Sequence, residues 1–183
     1  MPLSRTYATA GAFRRALEER LKRASQAEQV DPNRLRRQVS FDRLLARLFR
    51  EESAPWALKG GYALELRFKA ARSTVDIDLT LQRVTAATSS GGDTNEIVRS
   101  MLQSVADLSL GDWFEFEIGP PVMDLTAAPY GGAAIPSKLE WTNGPLRDST
   151  WMPALVMWLC SRWKRSPAAT GWDSLASNPR RSE

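Results

Sequence analysis

The sequence predicts an α+β fold in which helices flank a small mixed sheet. Three observations predict it. Residues 9–28 and 32–51 repeat their apolar side chains at helical spacing, residues 74–81 and 112–119 alternate as strands, and 183 residues at 43% apolar content suffice for an ordinary core.

In the first helix, "TAGAFRRALEERLKRASQAE", Phe13, Leu17 and Leu21 recur every four residues among Arg, Lys and Glu. Asp31-Pro32 supplies an N-cap and a first-turn proline for a second helix running to about Glu51. Its apolar residues are Leu35, Val39, Phe41, Leu44, Leu45, Leu48 and Phe49. "PWALKGG" reads as a short buried strand ended by glycines. A third helix is expected from Gly61 to about Ala70, with Leu64 and Phe68 on one face and Tyr62 and Leu66 beside them. Phe13, Phe41, Phe49 and Phe68 are expected in the core, and Arg67, Lys69 and Arg72 on a polar face or against RNA. "ATSSGGDTN" is a loop whose Asp93 or Thr94 caps a helix to about Leu108, and "DWFEFEIG" is a further strand.

Composition narrows the chemistry. No histidine occurs, which excludes imidazole acid–base schemes and His-ligated zinc. Oxygen-ligated Mg²⁺ or Mn²⁺ remains open. One cysteine and no apolar leader or membrane-length run fit a cytoplasmic chain without membrane contact. A net charge of +4 permits a polyanionic partner.

The candidate site lies in "KGGYALELRFKAARSTVDIDL". Asp76 and Asp78 are two apart, so on a strand both carboxylates share one face, opposite Val75, Ile77 and Leu79. Such a pair repels unless a cation or protons separate it. Gly60 and Gly61 let the backbone turn sharply and approach a ligand, and the helix that follows aims unpaired N–H groups at it. Phosphates on that terminus, with a divalent cation between phosphates and carboxylates, make a nucleoside-triphosphate site, and Lys59 stands near enough to touch a phosphate. Asp76, Asp78, Lys59, Gly60 and Gly61 are therefore the expected site residues. "DIDLT" also satisfies the Asp-x-Asp-x-Thr pattern of haloacid-dehalogenase-type phosphohydrolases, with Asp76 as nucleophile. That pattern wants an apolar strand before the first acid, whereas "ARST" precedes Val75 and "LTL" continues the strand.

The residues "FDRLLARLF…WALKGGYALELRF…ARSTVDIDLTL" resemble the nucleotidyltransferase AbiEii/AbiGii toxin family, within the DNA polymerase β-like superfamily. The resemblance runs from about Thr6 to Gly132 and includes "AFRRALEERL" and "PYGG". It implies a polymerase β-like core behind an N-terminal two-helix segment, with Gly60 and Gly61 at the triphosphate and Asp76 and Asp78 on Mg²⁺. It also implies transfer of a nucleotide to an acceptor such as the tRNA 3′ end. The chain would then be the toxin of a toxin–antitoxin or phage-defence system whose antitoxin is encoded nearby.

The chain beyond "PYGG" departs from this pattern. A third carboxylate is expected there on a later strand, and none appears in an apolar setting: Asp112 and Asp124 come earlier, and Asp148 lacks alternation. Catalytic impairment, or a non-catalytic remnant, is the expected consequence. Five of the seven tryptophans follow residue 140. In a neighbouring reading frame, Trp151, Met152 and Pro153 force an Asp followed by Ala, within a stretch that can read "FHVDAGIGD". Residues 1–136 are accordingly expected to form an incomplete nucleotidyltransferase domain and 137–183 an out-of-frame tail. That tail should leave the sheet one strand short.

Overall fold

The computed structural model describes residues 7–68, 73–82, 93–124, 132–141 and 154–159. Helix α1 (Ala10–Glu28) starts where the Thr9 hydroxyl accepts from the Ala12 amide at 3.1 Å, and ends at Gln29 in the left-handed region, φ 54°. Helix α2 (Pro32–Leu48) opens on Pro32, with the Asp31 carboxylate accepting from the Asn33 amide. Strand β1 (Trp56–Lys59) runs directly into α3 (Gly60–Arg67), and β2 spans Asp76–Leu81. Helix α4 (Thr94–Ala106), capped by Asp93, leads to β3 (Phe114–Ile118) and the two-residue β4 (Met123–Asp124). Strands β5 (Gly132–Trp141) and β6 (Ala154–Leu159) complete the described chain.

The six strands form one mixed sheet in the order β1-β2-β6-β5-β3, with β4 also on β5. Only β2 and β6 run parallel; the other neighbours are antiparallel. Ile77, Leu79 and Leu81 of β2 are fully buried, and so are Phe41, Leu44 and Leu48 of α2, Tyr62 of α3 and Leu102 of α4. Each such aliphatic side chain contributes about 2 kcal/mol by leaving water. Phe13 and Leu17 of α1 pack against this core, Phe13 meeting Phe114 edge-on with ring centroids 5.7 Å apart.

Strand β3 ends one side of the sheet among the described strands, and side chains occupy most of its outward backbone groups. Arg47 Nη2 donates to the Phe114 carbonyl at 2.7 Å, and Arg99 Nη1 to the Ile118 carbonyl at 3.1 Å. Between them the Gln103 amide imitates a neighbouring strand, donating to the Phe116 carbonyl and accepting from the Ile118 N–H. The edge is thereby closed to another strand. Arg47, buried on α2, also donates to Asp112 at 2.6 Å and lies over the Phe116 ring.

Several expectations need correction. Helix α3 ends at Arg67 rather than near Ala70. Phe68 is 60% exposed and Phe49 39%, so neither belongs to the core, and Leu64 and Leu66 are exposed with them. The reason is that α3 turns Tyr62 and Glu65 inward instead. Tyr62 packs edge-on against Phe41 and donates to Asp42 at 2.8 Å, while Glu65 finds donors described below.

The expected gap in the sheet is also absent: Ala154–Leu159 fills it as β6, between β2 and β5. A continuous apolar run suits a strand with neighbours on both sides. Residue 137, where the out-of-frame tail is expected to begin, lies within β5. Lys69, Arg72, Asp148 and residues 160–183 lie outside the described residues.

Candidate functional site

Strands β1 and β2 pair with Trp56 opposite Leu81 and Leu58 opposite Leu79 on the core face. The alternation then puts Ala57 opposite Thr80 and Lys59 opposite Asp78 on the other face. Asp76 lies on that same face, two residues before Asp78. Both acids are half-buried, and their flanking Ile77 and Leu79 are fully buried, so the strand is anchored by one face and presents carboxylates on the other.

Gly60 adopts φ +68°, which a side chain rarely tolerates. A Cβ there would also fall on the Asp78 carboxylate. The glycine is thus required twice, by its backbone conformation and by the acid packed against it. Gly61 is similarly confined: a Cβ would stand 3.0 Å from Cβ of Thr74. The chain passes straight from β1 into α3 through this turn, and no side chain caps the helix. The helix N-terminus, positive by its dipole, therefore lies beside Asp78 without a side-chain cap. The structure thus brings Lys59, Gly60, Gly61, Asp76 and Asp78 together.

Burial, and then the charge of Asp78, raise the Asp76 pKa above the usual carboxylate value. A divalent cation would offset that repulsion, and Asp76 and Asp78 are the residues that would hold it. Among the described residues no group of three or more acids, cysteines or histidines is placed to hold a metal. Two carboxylates fit a Mg²⁺ or Mn²⁺ whose remaining ligands come from phosphate and water.

The chain matches a family described as "Nucleotidyl transferase AbiEii toxin, Type IV TA system" over residues 43–139, more than half its length. It belongs to this family. No curated protein matches it. The AbiEii match spans α2 from Arg43 onward, the glycine turn, both acids and β5 as far as Leu139, so it contains every residue of the site. Membership makes the chain a nucleotidyltransferase toxin of the type IV toxin–antitoxin class, which implies a nucleotide substrate and an antitoxin. No helix among the described residues is long and apolar enough to cross a membrane.

Two residues of the neighbourhood escaped the sequence reading. Glu65 is buried on α3, its side chain 5% exposed, and accepts hydrogen bonds from Arg34, Gln38 and the Thr74 amide. Thr74 in turn bonds the Asp76 backbone through its hydroxyl. The available signal was a glutamate set between Leu64 and Leu66, but its partners come from residues 31 and 27 positions earlier and 9 later. Helical spacing alone does not point to them.

Proposed function

We propose that this site binds a divalent cation with a nucleoside triphosphate, for transfer of the nucleotide to an RNA acceptor, the 3′ end of tRNA being the favoured class. The observation that carries the reading is the contact between Gly60 and Asp78, which joins an uncapped helix N-terminus to an acid pair. The α3 amides would take the phosphates, and Lys59, across the ladder from Asp78, adds positive charge to the same face. Asp76 and Asp78 would hold the cation, which when bound neutralises phosphate charge. In the transfer, an acceptor hydroxyl oxygen forms a bond to the α-phosphorus as its bond to the bridging oxygen breaks. Pyrophosphate leaves, and the hydroxyl proton passes to solvent or a nearby carboxylate.

This chain is proposed to bind its nucleotide but turn it over weakly. The strand alongside β2 pairs Ala154 with Asp76 and Val156 with Asp78, and none of its six residues is acidic. The strand's place is filled, yet it carries no carboxylate of the kind the superfamily reaction calls for. We attribute this to a shifted reading frame beyond about residue 137, and the gene's nucleotide sequence tests that directly. A neighbouring frame interrupted by early stop codons would end it. The antitoxin is proposed to be encoded beside this gene, and the complex to work in the cytoplasm.

The binding test is equilibrium titration with Mn²⁺ and ATP, GTP, CTP or UTP, in the wild type and in Asp76→Asn and Asp78→Asn. Saturable Mn²⁺-dependent binding lost in both variants supports the reading; nucleotide binding indifferent to both acids refutes it. Labelled nucleotide and tRNA then measure turnover, expected to be slow.

A further inference from the structure

We infer that Glu65 is a positioning residue that fixes the Asp76 strand against the glycine turn through Thr74. This rests on the metal–nucleotide reading of the site. Glu65 lies on α3, one turn beyond Gly61, with its carboxylate shared between two elements. Oε1 accepts from Arg34 Nη2 at 2.9 Å and from Gln38 Nε2 at 3.0 Å, both on α2. Oε2 accepts from the Thr74 amide at 3.2 Å.

Thr74 is where three constraints converge. Its side chain lies against Gly61, close enough that a Cβ on the glycine would touch it. Its hydroxyl accepts from the Asp76 amide at 3.4 Å, two residues on. Its own amide is held by Glu65. Arg37 reaches the adjacent Ser73 hydroxyl, so α2 secures the same stretch a second time.

The acids enter the sheet at Asp76, the first residue of β2, with the chain before it outside the ladder. A strand's first residue is held by fewer ladder bonds than its interior, and its side chain follows whatever restrains the preceding residues. Here that restraint is a buried carboxylate on the same helix whose N-terminus adjoins Asp78. One rigid body, α3, therefore carries the anion-facing amides at one end and the anchor for Asp76 at the other. Carboxylate separation is what a divalent cation senses, because its oxygen ligands must lie at fixed distances.

The test measures Mn²⁺ affinity by electron paramagnetic resonance together with urea stability, in the full chain. Glu65→Ala is expected to weaken Mn²⁺ binding about tenfold or more, the range for losing a group that orients a ligand. Glu65→Gln keeps an oxygen for the Thr74 amide and should stay within about threefold of wild type, because orientation rather than charge is what it supplies. Arg34→Ala removes the ion pair but leaves the Thr74 contact, and should lower the urea midpoint with Mn²⁺ affinity retained. Should Glu65→Ala fail to fold, Thr74→Val interrupts the same path from its other end and is expected to weaken Mn²⁺ binding. Affinity unchanged in Glu65→Ala or, where that variant does not fold, in Thr74→Val overturns the inference, and so does an equal loss in Arg34→Ala. Wild-type binding that survives Asp78→Asn overturns the metal-site reading itself, which separates the two failures.

Discussion

Gly60 stands so close to Asp78 that no side chain fits between them, and it does so in a backbone conformation that disfavours any. Gly60→Ala should therefore cost about 2–4 kcal/mol, from the left-handed backbone and the overpacking together. Gly61→Ala meets only Thr74 and has ordinary backbone angles, so it should cost less. Urea unfolding of the two variants measures the difference, and equal costs would show that the acid does not crowd the turn.

Asp76→Asn should stabilise the metal-free protein at neutral pH. The folded-state pKa of Asp76 is raised, so its stabilising protonated form is present below the unfolded carboxylate value and is lost as pH rises through the folded value. Ionised Asp76 therefore strains the fold at pH 7. Because the site is solvated, the gain is on the order of 0.5 kcal/mol. It should vanish in acid, where aspartate is protonated in both states. Mg²⁺ should reverse the ranking, since wild type gains stability from the ion and the variant does not. Thermal unfolding across pH, with and without Mg²⁺, reads all three.

Arg47→Met and Arg36→Met make a second contrast. Arg47 is buried, salt-bridged to Asp112 and bonded to the β3 edge, whereas Arg36 pairs with Glu18 near the surface. Loss of the first should cost about 3 kcal/mol. Loss of the second should cost under about 1 kcal/mol. Similar values for both would show that the β3 edge gains little from its arginine.

Much of this fold was legible because local signals and long-range packing agreed. Asp31 and Asp93 cap the helices they were expected to cap, and "FEFEI" alternates as it is buried. The paired acids and the glycine turn were legible because each has a chemical requirement visible within a few residues. The outward Leu64, Leu66 and Phe68 were not legible, because a buried Glu65 satisfied by α2 reverses the faces of α3. Arg47 likewise depends on Asp112, 65 positions away. Strand β6 has neither alternation nor turn signals, and only its two neighbours make it a strand.

Val156→Asp places an acid at the ladder position paired with Asp78. If the site lacks only a carboxylate, Mn²⁺ should bind about tenfold tighter, as affinity follows ligand charge count. Nucleotidyl transfer should rise with it. An unchanged Mn²⁺ affinity in a folded variant would show that β6 does not deliver that position to the metal.

The place of β6 also sets the order in which the molecule can be made. Its parallel pairing joins residues roughly 80 positions apart, the slow kind of contact to close. During synthesis β1, β2, β3 and β5 all emerge before it, so β2 and β5 each wait with an unpaired side. A nascent chain arrested between Trp141 and Ala154 holds two half-sheets, β1 with β2 and β3 with β5, without the described strand that joins them. Such a chain is a substrate for chaperones and proteases rather than a smaller version of the finished protein.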